Sequence, residues 1–226
     1  MNGAKKRIRN AYKFAGSSNF YDGMMDCSTL FGKFMSRIVW DMNEKECAEY
    51  VMRALSGIPK KFSGRMLEVP VGTGVLTMPP HKTIPDAEIV CLDYSPEMMA
   101  KAEEKAKLFG IENIEFIKGD VGNLPFEDES FDIVLSLNGF CAFPDKEAAY
   151  KETFRVLKKG GVFCGGFYVE GNCKRTDFII RHIYQPMEFF TPPYETMESV
   201  NSRFKKMYEH VKLSNVKSVA CFVCRK

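Results

Sequence analysis

The sequence predicts an α/β fold, a doubly wound and mostly parallel sheet preceded by a helical cap. Three observations carry that prediction. From residue 65 onward, short apolar runs alternate with amphipathic stretches, the βαβ pattern. The first run, Met66-Leu67-Glu68-Val69-Pro70-Val71, breaks into Gly72-Thr73-Gly74. A buried parallel strand reads this way when it delivers a tight turn to a nucleotide-like ligand. Nineteen residues past Gly74 stands Asp93, closing a second apolar run, Ile89-Val90-Cys91-Leu92. That is the residue type and spacing expected of a partner for a ribose hydroxyl pair.

The elements follow in order. Residues 1–60 read as the helical cap, with Phe31, Phe34, Met35, Ile38 and Val39 at helical spacing. A second helix starts at Asn43, whose side chain and Glu46 three residues on make a capping box, and it ends at Gly57 before Pro59. Residues 61–226 then form one compact unit. Strand 66–70 feeds the glycine turn, and the next helix is cut short by Pro79 and Pro80. Strand 89–93 leads to a helix capped by Ser95, with Pro96 at its first position, running through Met98, Met99, Ala102 and Ala106 to Gly110. Strands are expected over 113–117 and 131–136, and a helix from Asp145 to about Leu157, stopped by Lys158-Lys159-Gly160-Gly161. Strand 162–168, a polar linker, apolar patches at 179–184 and 189–190, a helix over 197–211 and strands 212–216 and 218–224 complete seven strands.

The chain has 226 residues, a net charge of +3, and 45% hydrophobic and 27% charged residues. That is the composition of a globular domain with a sizeable core. The small net charge counts against a nucleic-acid binder. The Lys5-Lys6-Arg7-Ile8-Arg9 cluster reads as a solvated tail. No apolar run reaches membrane-spanning length, since Lys33, Ser36 and Arg37 interrupt Leu30–Trp40. No signal-peptide core follows the basic start, so the eight cysteines read as reduced thiols of a cytoplasmic protein. Cys221 and Cys224 fall on a strand-like run, where i and i+3 face opposite ways, so they make no metal or redox pair.

Four motifs carry a resemblance. They are Leu67–Gly74, Cys91-Leu92-Asp93-Tyr94-Ser95-Pro96-Glu97-Met98-Met99, Gly119-Asp120-Val121-Gly122-Asn123-Leu124-Pro125-Phe126, and Phe131–Val134 followed by Phe154–Gly161. In this order they resemble the class I S-adenosylmethionine-dependent methyltransferases, in particular the ubiquinone- and menaquinone-biosynthesis group. The resemblance covers roughly residues 20–226. It implies a Rossmann-like seven-stranded sheet whose final strand is antiparallel, S-adenosyl-L-methionine as cofactor, and in-line methyl transfer to a small, partly apolar molecule. It places the cofactor against Glu68, Pro70, Gly72, Thr73, Gly74, Asp93, Tyr94, Met98, Asp120, Val121 and Asn138, with Tyr21 closing over it. Pro70 is a departure, since that motif usually has glycine there.

The physical roles fit these residue types. Glycines admit the amino-acid end of the cofactor, and Asp93 accepts the ribose hydroxyls. Asp120 and its neighbouring backbone meet adenine's edge, while Met98 and Val121 meet its faces. Glu68 orients the turn or the cofactor's ammonium group. A dinucleotide-dependent oxidoreductase would want a third glycine where Thr77 stands and an uninterrupted helix behind it. The same motifs also admit RNA or protein methylation, or cofactor binding without catalysis.

Methyl transfer needs mainly proximity in a dry pocket, so no catalytic residue is expected to advertise itself. Cys141 reads as a buried thiol and Thr191-Pro192-Pro193-Tyr194 as a loop. His182 reads as a packed or surface histidine in a segment over the pocket. His81 and His210 lack partners at ligand spacing, so no metal site is expected. Phe14, Phe20, Phe31, Trp40, Phe140, Phe143, Phe189 and Phe190 supply apolar surface for an acceptor pocket.

Overall fold

The structure, a computed structural model, describes residues 22, 23 and 27–226. Tyr21, Phe14, Phe20 and the basic cluster at 5–9 lie outside the described residues. Two helices come first, α1 (Leu30–Val39) and α2 (Glu44–Ala54). The Asn43–Glu46 capping box forms with both of its bonds, at 2.8 and 3.1 Å.

Then come β1 (Arg65–Glu68), the short α3 (Met78–His81), β2 (Glu88–Asp93), α4 (Pro96–Phe109), β3 (Ile114–Lys118) and β4 (Phe131–Leu137). They are followed by α5 (Lys146–Arg155), β5 (Leu157–Tyr168), α6 (Lys174–Ile179), α7 (Met197–Met207), β6 (His210–Val216) and β7 (Val219–Arg225). α6 continues into a π-helical turn, Ile180–Tyr184. α4 has the ends its sequence predicts, with Ser95 as N-cap, Pro96 in the first turn and Gly110 left-handed at φ 65°.

The sheet order is β3-β2-β1-β4-β5-β7-β6. β1 to β5 pair in parallel, and β7 runs antiparallel to both of its neighbours. The final strand is therefore the antiparallel one, as the resemblance implies. Alternate residues divide two cores. Leu67, Val90, Leu92 and Val134 face one, with Tyr150 of α5 and Phe204 of α7. Met66, Ile89, Cys91 and Leu135 face the other, with Ala102 and Ala106 of α4. Helices thus cover both faces, which is the doubly wound arrangement. A smaller cluster joins Cys47 and Tyr50 of α2 to Val219 and Cys221 of β7. Cys224 lies in the core on the opposite face, as its spacing from Cys221 predicts.

Three boundaries differ from the sequence expectation. Lys158–Gly161 does not stop a helix but lies inside β5. Leu157 pairs with Phe131, the register then slips, and Val162 pairs with Ile133. The slip is held from outside, by Lys158 Nζ on both oxygens of Asp132 at 2.9 Å and by Lys226, whose backbone bonds Gly160 and Gly161. The helix at 197 ends at Met207, four residues early, because His210 already pairs with Arg225 in the sheet. Strand β1 ends at Glu68, and Pro70, preceded by a cis peptide bond, belongs to the loop.

Candidate functional site

The carboxyl ends of β1, β2, β3 and β4 open into one cleft. Every sequence-predicted cofactor residue among the described ones lines it: Glu68, Pro70, Gly72, Thr73, Gly74, Asp93, Tyr94, Met98, Asp120, Val121 and Asn138. Leu137, Ala142, Phe143 and Pro144 complete the wall on the β4 side.

The glycine turn is anchored before it is free to bind anything. Val69 N bonds Leu135 O and Val71 N bonds Leu92 O, which ties the loop to both neighbouring strands. Gly72 is left-handed at φ 56°, and a Cβ there would meet nothing within 4 Å. Backbone at that point therefore faces open cleft, a cradle that any side chain would begin to fill.

Asp93 organises this turn. Its Oδ2 accepts from Gly72 N and its Oδ1 from Ser95 N, both at 2.8 Å. One carboxylate thus joins the glycine loop to the start of α4. Burial pushes its carboxyl up to about 6, against the pull of the Ser95, Gly72 and Tyr94 backbone N–H groups. Each oxygen keeps acceptor capacity toward the cleft, since a carboxylate offers about four acceptor sites.

Glu68 has a partner that its sequence neighbourhood does not show. His81 Nε2 lies 2.6 Å from its Oε2, and Cys91 Sγ donates to the same oxygen at 3.6 Å. All three are buried, and their ligating atoms lie within 4.8 Å of one another. The expectation that His81 lacks a partner at ligand spacing is corrected. Helix α3 turns it back onto β1, thirteen residues away in sequence.

Two further residues belong to motifs of the sequence, the Tyr21-Asp22 pair and the Phe154–Gly161 run, but their supporting contacts were not foreseen. Asp22 accepts from Thr73 Oγ1 at 2.5 Å and pairs with Lys105 Nζ at 2.7 Å, so residue 22 sits at the lip of the glycine loop. Arg155 donates to Leu124 O and Phe126 O and pairs with Glu152 and Asp128. It clamps the loop that follows Asp120, whose own carboxylate accepts from Gly122 N at 3.0 Å. The signal for Arg155 was present in its motif, but its role was not.

On the β4 side, Asn138 is left-handed at φ 55° and its N donates to Gly166 O at 2.7 Å. The next residue, Gly139, is hemmed in. A Cβ there would lie 2.4 Å from Pro70 Cδ and 2.5 Å from Phe143 Cζ. Cys141 donates to Asn138 O at 3.1 Å, and burial pushes its thiol up to about 11, which suits an inert packed side chain.

The 191–194 loop is closer to this wall than its sequence position implies. Thr191 N bonds Cys141 O, Thr191 Oγ1 bonds Ala142 O, and Lys146 Nζ bonds Thr191 O. Behind it Trp40, Tyr168, Tyr184, Phe190 and Tyr194 form a connected aromatic cluster. Of the aromatics expected in an acceptor pocket, Phe143 lines the cleft, Phe140 is core, Phe31 is half exposed on α1, Trp40 and Phe190 pack at a tilt in this cluster, and Phe189 meets Tyr184 edge-on. His182 is exposed and stacks on Phe178.

Glycine loop, acidic partner and Asp120 turn at the carboxyl edge of a parallel sheet define a domain that binds a nucleoside-type cofactor. Comparison with known proteins narrows the class. Residues 66–161 match the protein family described as a methyltransferase domain. Over 109 residues the chain is 39% identical to demethylmenaquinone methyltransferase of Thermus thermophilus, covering 48% of this chain and 49% of that one. Over 100 residues it is 37% identical to 2-methyl-6-phytyl-1,4-hydroquinone methyltransferase 2 of Oryza sativa, covering 44% and 28%. In fold it is similar to phosphoethanolamine N-methyltransferase 2 of Haemonchus contortus, solved in complex with S-adenosyl-L-methionine, at a TM-score of 0.63 and 18% identity, covering 90% and 46%. The chain spans about half the length, or less, of the curated relatives named here. Residues 66–161 form a class I methyltransferase domain, and the cofactor of that class is S-adenosyl-L-methionine.

Proposed function

We propose that this protein transfers a methyl group from S-adenosyl-L-methionine to a small, partly apolar acceptor of the quinol type. The observation that carries the reading is Asp93. It is held by Gly72 N and Ser95 N, buried, and has acceptor capacity left toward the cleft.

The cleft fits the cofactor on its own features. Open space stands over Gly72, and three acidic residues, Glu68, Asp93 and Asp120, line a site for a ligand that carries ammonium and sulfonium charge. In this reading Asp93 accepts the ribose hydroxyls, Met98 and Val121 flank the adenine, and Asp120 with its neighbouring backbone meets the adenine's edge. The glycine turn receives the amino-acid end, with Glu68 beneath it. When bound, the cofactor supplies an electrophilic methyl group open to in-line displacement. Leu137, Ala142, Phe143 and Pro144 exclude water from the face where the acceptor meets it. The protein's work is orientation in a dry site, and no general base is required of an acceptor that has already lost its proton.

The quinol class rests on the relatives whose names specify demethylmenaquinone and a phytyl hydroquinone, together with the apolar rim. An oxidoreductase reading is disfavoured by α3, which spans only Met78–His81 and offers no helix to seat a pyrophosphate. Calorimetric titration with S-adenosylmethionine and with NADH separates the cofactors. Transfer of labelled methyl to reduced naphthoquinones, simple phenols and amines separates the acceptors. Binding of NADH alone would sink the whole reading. Binding of S-adenosylmethionine with transfer only to amines would sink the quinol part.

A further inference from the structure

Two thiols of the helical cap touch each other. Cys27 Sγ donates to Cys47 Sγ at 3.0 Å, and Ser36 Oγ of α1 lies 3.0 Å from the same Cys47 sulfur. Both cysteines are buried and share a small core with Met42, Tyr50, Val219 and Cys221. A disulfide bond is about 2.05 Å long, so the two sulfurs have only about 1 Å left to close. Among the described residues no other two cysteines are joined by a hydrogen bond. Cys91 turns to Glu68, Cys141 to Asn138 O and Cys221 to Tyr50 O. Packing alone asks for a small apolar group at each place, not for two sulfurs in contact.

Cys27 stands on the connection between the cleft and the cap. Asp22, five residues before it, holds Thr73 and Lys105 at the lip of the glycine loop. The backbone of Gly23 lies against the first turn of α1, so close that a Cβ on Gly32 would fall 1.7 Å from Gly23 O. Lip and α1 are thus in direct contact, and Cys27 lies between them in sequence. Cys27 is left-handed at φ 54°, a backbone that cysteine rarely adopts, and in it the thiol reaches α2. Cys47 is on α2, whose Tyr50 packs with Val219 and Cys221 of β7. A covalent bond at this point ties the segment beside the lip to a helix seated on the sheet.

We propose that Cys27 and Cys47 form a reversible disulfide, closed by hydrogen peroxide and reopened by small thiols, that fixes the cap at the lip of the cofactor cleft. Closure stands apart from the methyl-transfer reading, because it needs neither cofactor nor acceptor.

The chemistry balances in two steps. Cys27 Sγ attacks one peroxide oxygen, the O–O bond breaks, and the other oxygen leaves as water with the thiol proton, so that a sulfenic acid remains. Cys47 Sγ then attacks the Cys27 sulfur, the S–S bond forms, and the hydroxyl leaves as a second water with the Cys47 proton. The two sulfurs give up two electrons and the peroxide takes them. Burial pushes the Cys47 thiol up to about 12, so Cys47 is assigned the second step, in which the sulfur it attacks is already in contact. Two small thiols reverse the bond by exchange and leave as their own disulfide.

The test treats the folded full chain with a small excess of hydrogen peroxide, blocks the remaining thiols and maps the peptides by mass spectrometry. The peptides carrying Cys27 and Cys47 are expected to be joined, lighter by two hydrogens than the pair apart, and to separate again in dithiothreitol. The bond spans twenty positions, so the urea midpoint of the oxidised chain is expected to rise. Affinity for S-adenosylmethionine is expected to rise by roughly threefold, since a held lip is ordered before the cofactor arrives. Cys27→Ser is expected to show none of these changes, and its response to the same peroxide reports oxidation elsewhere. Free thiols at both positions after treatment of the folded parent overturn the proposal. So does Cys47 joined to Cys221, or a bond that forms only in urea. A closed bond that leaves cofactor affinity unchanged overturns its role at the lip.

Discussion

Asp93 makes a prediction with two opposing terms that can be measured apart. In the folded chain its carboxyl sits near pH 6, against an ordinary value of 3.8. A proton therefore binds the folded chain more tightly than the unfolded one. Folding gains from that below about pH 4, and the gain is lost as pH rises through 6. The shift corresponds to about 3 kcal/mol, carried as a cost of the ionised, buried carboxylate at neutral pH.

Replacing Asp93 by Asn removes this titration. It also sets an amide N–H₂ against one of the two backbone donors, Gly72 N or Ser95 N, at a cost of about 1–3 kcal/mol at every pH. Asp93→Asn is thus expected to be less stable than the parent by about 1–3 kcal/mol near pH 4.5, and within about 2 kcal/mol of it near pH 7.5, where the two terms offset. Urea unfolding followed by circular dichroism across that range, without cofactor, measures the difference. A difference that stays flat with pH refutes the assignment of a strained, buried carboxylate. Affinity for S-adenosylmethionine at pH 7.5 should fall by roughly 10-fold to 100-fold, the worth of a hydrogen bond to a charged group.

His81→Ala leaves the Glu68 carboxyl buried with only the Cys91 thiol beside it and should cost about 3–5 kcal/mol in urea unfolding; a loss below about 1 kcal/mol would show that the pair is solvated in solution. Cys141→Ala should leave methyl transfer within about threefold of the parent, because a buried thiol pushed up to about 11 holds almost no thiolate at neutral pH; abolished turnover with cofactor affinity intact would make it a nucleophile after all. Arg155→Lys cannot span two carbonyls and two carboxylates, and the loosened 124–128 loop should cost about 1–3 kcal/mol of stability and weaken cofactor binding, since Asp120 and Val121 sit on its near end. Unchanged calorimetric affinity would mean that the loop keeps its place without the clamp.

The glycine turn, the Ser95 cap and the Asp120 turn were legible in the sequence because each is local, a residue type required by backbone within a few positions of it; Asp93 was legible by its residue type and spacing, although its bond to Gly72 crosses twenty-one positions. The final antiparallel strand was legible through the resemblance alone. What escaped was set by distance along the chain. Glu68 meets His81 and Cys91 through the packing of α3 and β2 onto β1, and Asp22 meets Thr73 across fifty-one positions. The basic-then-glycine run at 158–161 has the composition of a helix end, but a sheet bulge held by Asp132 and the backbone of Lys226 uses the same residues. Local chemistry cannot tell these apart. Only the neighbouring strand does.

The contact between Pro70 and Gly139 carries a consequence for how this site changes over generations. The two belong to loops after different strands, β1 and β4, and Pro70 together with Phe143 leaves no room for a methyl group at 139. The order of substitution then matters. A side chain at 139 is harmful while proline holds 70 and Phe143 keeps its place, and a small residue at 70 removes one of these two obstacles, so the effects of the two changes do not add. A lineage that altered the wall after β4 here would move more easily once the loop after β1 had changed, and retuning one side of the cleft would be written into the history of the other.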